Sequence, residues 1–117
     1  MNVRIRYKYG DGQIDVFSVQ ALDTFFVDAV VEGFDLVTGS WIAVEPALVE
    51  ARLERYDDET GVFDQISDSQ VFVHPDGFFR LLQKCDAPPG TYYLKTTATF
   101  GNITQIERLK IKAKVII

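Results

Sequence analysis

The chain has 117 residues, of which 47% are hydrophobic, 25% charged and 13% aromatic, with a formal net charge of −5. That length holds the core of one domain, residues 1–117, and leaves no room for a second. The apolar share excludes disorder over most of the chain, and the lone cysteine, Cys85, excludes an internal disulfide.

The first run places Val3, Ile5, Tyr7 and Tyr9 on one face and Arg4, Arg6 and Lys8 on the other. Such alternation predicts a strand with one buried side. Gly10-Asp11-Gly12 supplies a tight turn, and residues 13–19 form a weaker second run. Phe25, Val27, Ala29 and Val31 then alternate with Phe26, Asp28, Val30 and Glu32, with Gly33 as the stop. Phe34 to Val37 continue the extended pattern, and Trp41 to Val44 follow Thr38-Gly39-Ser40. Ala47, Val49, Ala51 and Leu53 face inward, opposite Glu50, Arg52 and Glu54. Asp57 to Gly61 read as a hairpin turn, before a short strand over Val62 to Ile66.

Val71 to His74 run into Pro75-Asp76-Gly77, a strong turn signal, and Phe78 to Leu82 return. After Pro88-Pro89-Gly90, residues Tyr92, Leu94, Thr96, Ala98 and Phe100 alternate with Tyr93, Lys95, Thr97 and Thr99. Gly101-Asn102 fits a two-residue hairpin turn. The last run sets Leu109, Ile111, Ala113, Val115 and Ile117 inward and Arg108, Lys110, Lys112 and Lys114 outward. Residues 22–33 and 46–56 also fit helical stripes; regular alternation and strand neighbours favour strands for both. Strand-like runs at this spacing predict an all-β antiparallel sandwich of about 7–9 strands.

At Pro89-Gly90-Thr91-Tyr92-Tyr93-Leu94 the chain resembles the entry to the sixth strand of immunoglobulin-like domains. The resemblance implies a corner tyrosine at Tyr92, whose hydroxyl bonds nearby backbone. It implies core positions at Val27 and Leu94, where antibody-type domains have disulfide cysteines, and a third-strand core tryptophan at Trp41. Both cysteines are missing, and Pro88 stands where an acid often sits, so the resemblance points to the fold and not to an antibody-like role. Domains of this type occur in cell-surface proteins, enzyme accessory modules and virion proteins of tailed bacteriophages.

Charge is distributed in blocks. Residues 1–10 carry Arg4, Arg6 and Lys8 without an acid, a net +3. Residues 11–76 carry fifteen acids against Arg52 and Arg55, a net −13, and residues 77–117 carry seven bases against Asp86 and Glu107, a net +5. With first and last strands side by side, Arg4, Arg6, Lys8, Lys110, Lys112 and Lys114 would form one positive face. Such rows protect edge strands, or dock an acidic partner or the acidic face of a second copy.

Chemistry-bearing patterns are sparse. His74 has no His or Cys partner nearby in sequence and reads as an inert turn residue. Cys85 reads as a structural thiol, and Asp57, Asp58, Glu59 and Asp64 as a solvated turn, not a calcium site. No phosphate-cradling glycine loop or Gly-x-Ser-x-Gly elbow occurs, so neither an enzyme nor a cofactor is expected. Core filling is expected of Phe25, Trp41, Phe79 and Tyr92. Adjacent strand residues point to opposite faces, so the pairs Phe25-Phe26, Phe78-Phe79 and Tyr92-Tyr93 make Phe26, Phe78 and Tyr93 the outward aromatics.

The expected function is a non-catalytic module docking on a larger assembly through a protein partner or a second copy, a phage capsid decoration or tail component being the leading setting. A carbohydrate-binding or cell-surface adhesion module is the alternative, with Phe78, Tyr93 and Trp41 as stacking platforms. Net charge argues against specific nucleic acid, and no run reaches the ~18 apolar residues of a membrane span. The N-terminal residues show no apolar signal region, so a virion, cytoplasmic or surface location is expected.

Overall fold

The computed structural model describes residues 2–115. Its strands are β1 (Val3–Tyr9), β2 (Gly12–Gln13), β3 (Val16–Gln20), β4 (Thr24–Asp35), β5 (Ser40–Ala43) and β6 (Leu48–Asp57). They continue as β7 (Val62–Asp68), β8 (Gln70–Val73), β9 (Phe79–Lys84), β10 (Gly90–Phe100) and β11 (Ile103–Lys114). Both segments with helical stripes are strands, β4 and β6. The count exceeds the expected 7–9 because the weak run at 13–19 splits into β2 and β3, and the segment after Gly39 forms the separate β5. Gly33 does not stop β4: it is buried and pairs with Val3 on one side and Ile42 on the other.

The strands form two sheets. One has the order β2-β1-β4-β9-β8, with β5 on β4 beyond the end of β9; the other has β3-β11-β10-β6-β7. Every pairing is antiparallel except β3 with β11, which is parallel. Taking β1, β4, β9 and β8 with β6, β10 and β11 as seven core strands gives the order of an immunoglobulin-like sandwich. The thinnest dimension, 21 Å, is that of two layers about 10 Å apart plus their outer side chains.

Period-2 alternation builds the core. Val27, Ala29 and Val31 of β4 and Leu81 of β9 face Leu53, Leu94, Ala98, Leu109 and Ile111 of the other sheet, and each is at most 1% exposed. Full burial of each larger aliphatic side chain contributes roughly 2 kcal/mol. Val27 and Leu94, the positions of the absent disulfide, are both fully buried. Tyr92 donates its hydroxyl to the Pro88 carbonyl at 2.5 Å, the corner contact that the resemblance implies. At the predicted β8–β9 turn, His74 N–H bonds the Phe78 carbonyl and Gly77 takes a φ of 88°, a conformation open to glycine.

Four inward assignments fail. Trp41 lies on β5, not on the third core strand; that strand is β6, and Leu53 fills its core position. Val115, just past β11, is 66% exposed, and Ile117 lies outside the described residues. Tyr9, at the end of β1, is 47% exposed because it leaves the core to lie against Phe17 and Phe26 at the sheet margin. Ala47 precedes β6 and is exposed, its N–H bonding the Thr99 carbonyl where the chain crosses between sheets.

Two buried polar groups cross between the layers. Tyr7 of β1 carries its hydroxyl to Thr96 Oγ1 at 2.8 Å and the Glu107 carbonyl at 3.0 Å, on β10 and β11. Burial pushes this phenol well above its ordinary value, partly offset by the Thr96 bond. Gln83 of β9 donates to Ser67 Oγ and the Lys84 carbonyl and accepts from Ser69 Oγ, which ties down the crossing from β7 to β8. Tyr7→Phe strands the Thr96 hydroxyl and is expected to cost about 1–3 kcal/mol in chemical denaturation, with the strand signal of the folded state unchanged.

Candidate functional site

Outward side chains form two faces, one per sheet. On the first, β1, β4 and β9 align Lys8, Asp28 and Arg80 in one cross-strand row, and Arg4 opposite Glu32 in another. Glu32 is largely buried because two arginines close over it. Arg4 Nε lies 2.9 Å and Arg6 Nε 2.6 Å from its Oε1, and Arg6 Nη2 3.1 Å from Oε2. The Arg6 bond holds the Glu32 carboxyl below the usual carboxylate value; burial opposes this, and Arg4 adds to it. Arg80 grips Asp28 through two nitrogens, at 2.9 and 3.2 Å.

The same cations cover the aromatics of this face. The Arg4 guanidinium lies 4.1 Å from the Trp41 ring centre, Lys8 Nζ 4.2 Å from Phe78, and the Arg80 guanidinium 4.4 Å from Phe26. Phe26 is half-buried. Phe78, expected outward, is only 8% exposed: Lys8 and a stacked His74 ring, 4.1 Å between centres, enclose it. Its neighbour Phe79 is half-buried against the core. The His74 Nδ1 accepts the Asp76 N–H, so the ring serves the turn.

On the second face, Glu54 is fully buried although it points away from the core. Arg52 Nη2 lies 2.8 Å from its Oε2 and Arg108 Nε 3.0 Å from its Oε1. A bulge sits here: Leu53 opposes Ser67 while Glu54 opposes Gln65, leaving Ile66 unpaired. Arg108 also lies 3.9 Å above Phe63, which meets the outward Tyr93 edge to face and leans on Tyr56. Beside this cluster Lys110, Lys112 and Lys114 point outward from β11. Lys112 and Lys114 are exposed, and none of the three has a carboxylate within 4.0 Å among the described residues.

The expected single basic face does not form. Strand β3, not β1, pairs with β11, and β1 lies in the opposite layer. With Ile5 and Tyr7 facing in from one sheet and Leu109 and Ile111 from the other, Arg4, Arg6 and Lys8 point away from Lys110, Lys112 and Lys114. The first trio is engaged with Glu32, Trp41 and Phe78; the second is the open one.

Several shallow clefts open on the surface. One of about 370 Å³ lies on the second face among Glu50, Arg52, Asp68 and Lys95. An apolar one of about 620 Å³ lies at the β4–β5 hairpin, and one of about 490 Å³ between residues 43–46 and 73–79. Cys85 is fully buried, which pushes its thiol up and away from reactivity. Asp57 accepts the Glu59 N–H and closes its own turn. The roles of Asp28, Glu32 and Glu54 as carboxylates buried under arginine were not readable in the sequence. Only Glu54 leaves a local trace, Arg52 two residues earlier on the same outward side; the arginines that cover Asp28 and Glu32 lie on other strands. No protein-family model matches the chain, and no curated protein matches it in sequence.

Glu32→Gln is expected to cost roughly 1–2 kcal/mol at neutral pH, since it removes a charge-assisted acceptor of partly exposed arginines. Because folding lowers the Glu32 pKa, that stability is present above the ordinary value of 4.5 and disappears as pH falls through the lowered one. Wild-type and variant denaturation midpoints should therefore converge in acid. Glu54→Gln leaves two guanidinium groups short of a counter-charge and is expected to cost about 3 kcal/mol in the same assay.

Proposed function

We propose that this chain is a non-catalytic docking module of a larger assembly, which meets an acidic protein surface through the lysine row of β11. The observation that carries this reading is the contrast between the two basic rows. Arg4 and Arg6 are spent on Glu32, while Lys110, Lys112 and Lys114 stand on the outer sheet face with no carboxylate within 4.0 Å among the described residues. Lysine suits such a contact because its flexible ammonium keeps its hydration until the partner arrives. The arginines and aromatics beside it, Arg108, Phe63 and Tyr93, are already locked together and provide a rigid platform.

The setting we propose, a capsid decoration or tail component of a phage virion, rests on the immunoglobulin-like resemblance alone. Capsid or tail genes beside its gene would support that setting, and a neighbourhood of secreted hydrolases would overturn it. The glycan alternative draws less support from this geometry, because Trp41, Phe78 and Tyr93 each already have a ring or cation against them.

A protein with a net charge of −5 should be repelled by a polyanion unless one face is locally basic. At low ionic strength the wild type is expected to bind a poly-glutamate resin and to elute as salt rises. A Lys110→Glu, Lys112→Glu, Lys114→Glu variant should flow through, while Arg4→Gln should bind like wild type. Equal retention of the triple variant would sink the lysine-row reading.

A further inference from the structure

The β4–β5 hairpin has a free edge without charge. Among the described residues, β5 is bonded to β4 and to no other strand. The Val44 N–H bonds the carbonyl of Val31 directly opposite, at 3.1 Å. Bonded and non-bonded pairs alternate along an antiparallel ladder, so Ser40 and Ile42 also bond inward, and Trp41 and Ala43 aim their N–H and C=O groups at the open edge.

Such edges are usually blunted by charge, proline or a bulge. Edge strand β7 carries Asp64 and Asp68, and β8 runs into Pro75. The stretch Leu36 to Val44 has no charge and no proline. It also holds the two most exposed large apolar side chains among the described residues, Val37 at 94% and Leu36 at 88%, with Ile42 at 45%. These three line the apolar cleft with Phe34.

We propose that this edge is a self-association site, where β5 of two copies pairs antiparallel about a two-fold axis and joins their sheets. The pairing is isologous, so an uncharged strand meets an identical uncharged strand. Three two-fold registers satisfy the open backbone groups. Trp41 opposite Trp41 crowds two indoles, and Ala43 opposite Ala43 sets Glu45 against Trp41. The third pairs Trp41 with the second copy's Ala43, twice, so the largest side chain of the strand meets the smallest and four backbone hydrogen bonds form. It places Ile42 opposite the second copy's Ile42 in a non-bonded pair, with Cα atoms about 4.5 Å apart. Each hairpin tip then points along the neighbour's strand toward its Glu45 and Pro46.

That register is directly testable, because a Cα separation of about 4.5 Å falls within disulfide range. Under mild oxidation Ile42→Cys is expected to give a covalent dimer, while Ser40→Cys, whose opposite residue is Val44, stays monomeric on a non-reducing gel. The buried Cys85 takes no part. Sedimentation of the wild type should show a dimer that persists in high salt, since backbone pairing is barely screened, and Ala43→Lys should shift it to monomer with its strand signal intact. Failure of folded Ile42→Cys to crosslink faster than Ser40→Cys overturns the proposal, as does a wild type that stays monomeric at every concentration. Neither result bears on the lysine row, which the polyanion experiment reads separately.

Discussion

The structure depends on keeping water out of the space between two apolar sheet faces, and Tyr7 is the residue that makes this closure specific. Apolar burial is non-directional: Leu53, Leu94 and Ile111 would accept many offsets of one sheet over the other. A buried hydroxyl would not. Tyr7 of β1 must find Thr96 and the Glu107 carbonyl, on two different strands of the opposite layer, or leave polar atoms unpaired in a dry core. Gln83 acts likewise at the margin, where it fixes the passage from one sheet to the other. No buried side-chain nitrogen or oxygen among the described residues is left without a partner.

The outer faces follow a different rule. Three carboxylates, Asp28, Glu32 and Glu54, are each closed over by arginine, and in each case a guanidinium of the same group also covers an aromatic ring. A planar guanidinium can bond a carboxylate through its edge while its face rests on a ring, which an ammonium cannot do. The division of labour between the two cations follows. Arginine is used for internal bracing on the faces, and the β11 lysines are left to solvent. The opposed charge blocks of the sequence are thus partly cancelled within the fold, since Arg4 and Arg6 of the basic first block meet Glu32 of the acidic middle, and Arg108 of the last block meets Glu54.

Much of the fold was legible because strand alternation is local. The buried set on β4, the Pro75-Asp76-Gly77 turn and the Gly101-Asn102 hairpin were all readable from a few neighbouring residues. Tyr92 was readable from its short motif, and its corner bond is present. Positions that depend on distant chain were not readable. Trp41 has the composition of a core residue, yet its strand is an appendage of β4, and Leu53 holds the place assigned to it. Phe78 was expected to point outward, yet it lies just before β9 and is buried, and nothing near it in sequence announces that Lys8, seventy residues earlier, would cover it.

The sequence by itself determined the class of structure: alternating side chains, turn residues at regular intervals and one unpaired cysteine specify a two-layer β-sandwich held without disulfides. Only the tertiary structure decided which strands are neighbours, and that decided the surface. The parallel docking of β3 onto β11 sends β1 to the opposite layer, so one basic row becomes internal bracing and the other remains exposed. The same long-range pairing leaves one side of β5 open. The physical reason is that a strand's inward and outward faces follow from its own period of two, whereas its partners depend on the joint burial of residues far apart in the chain.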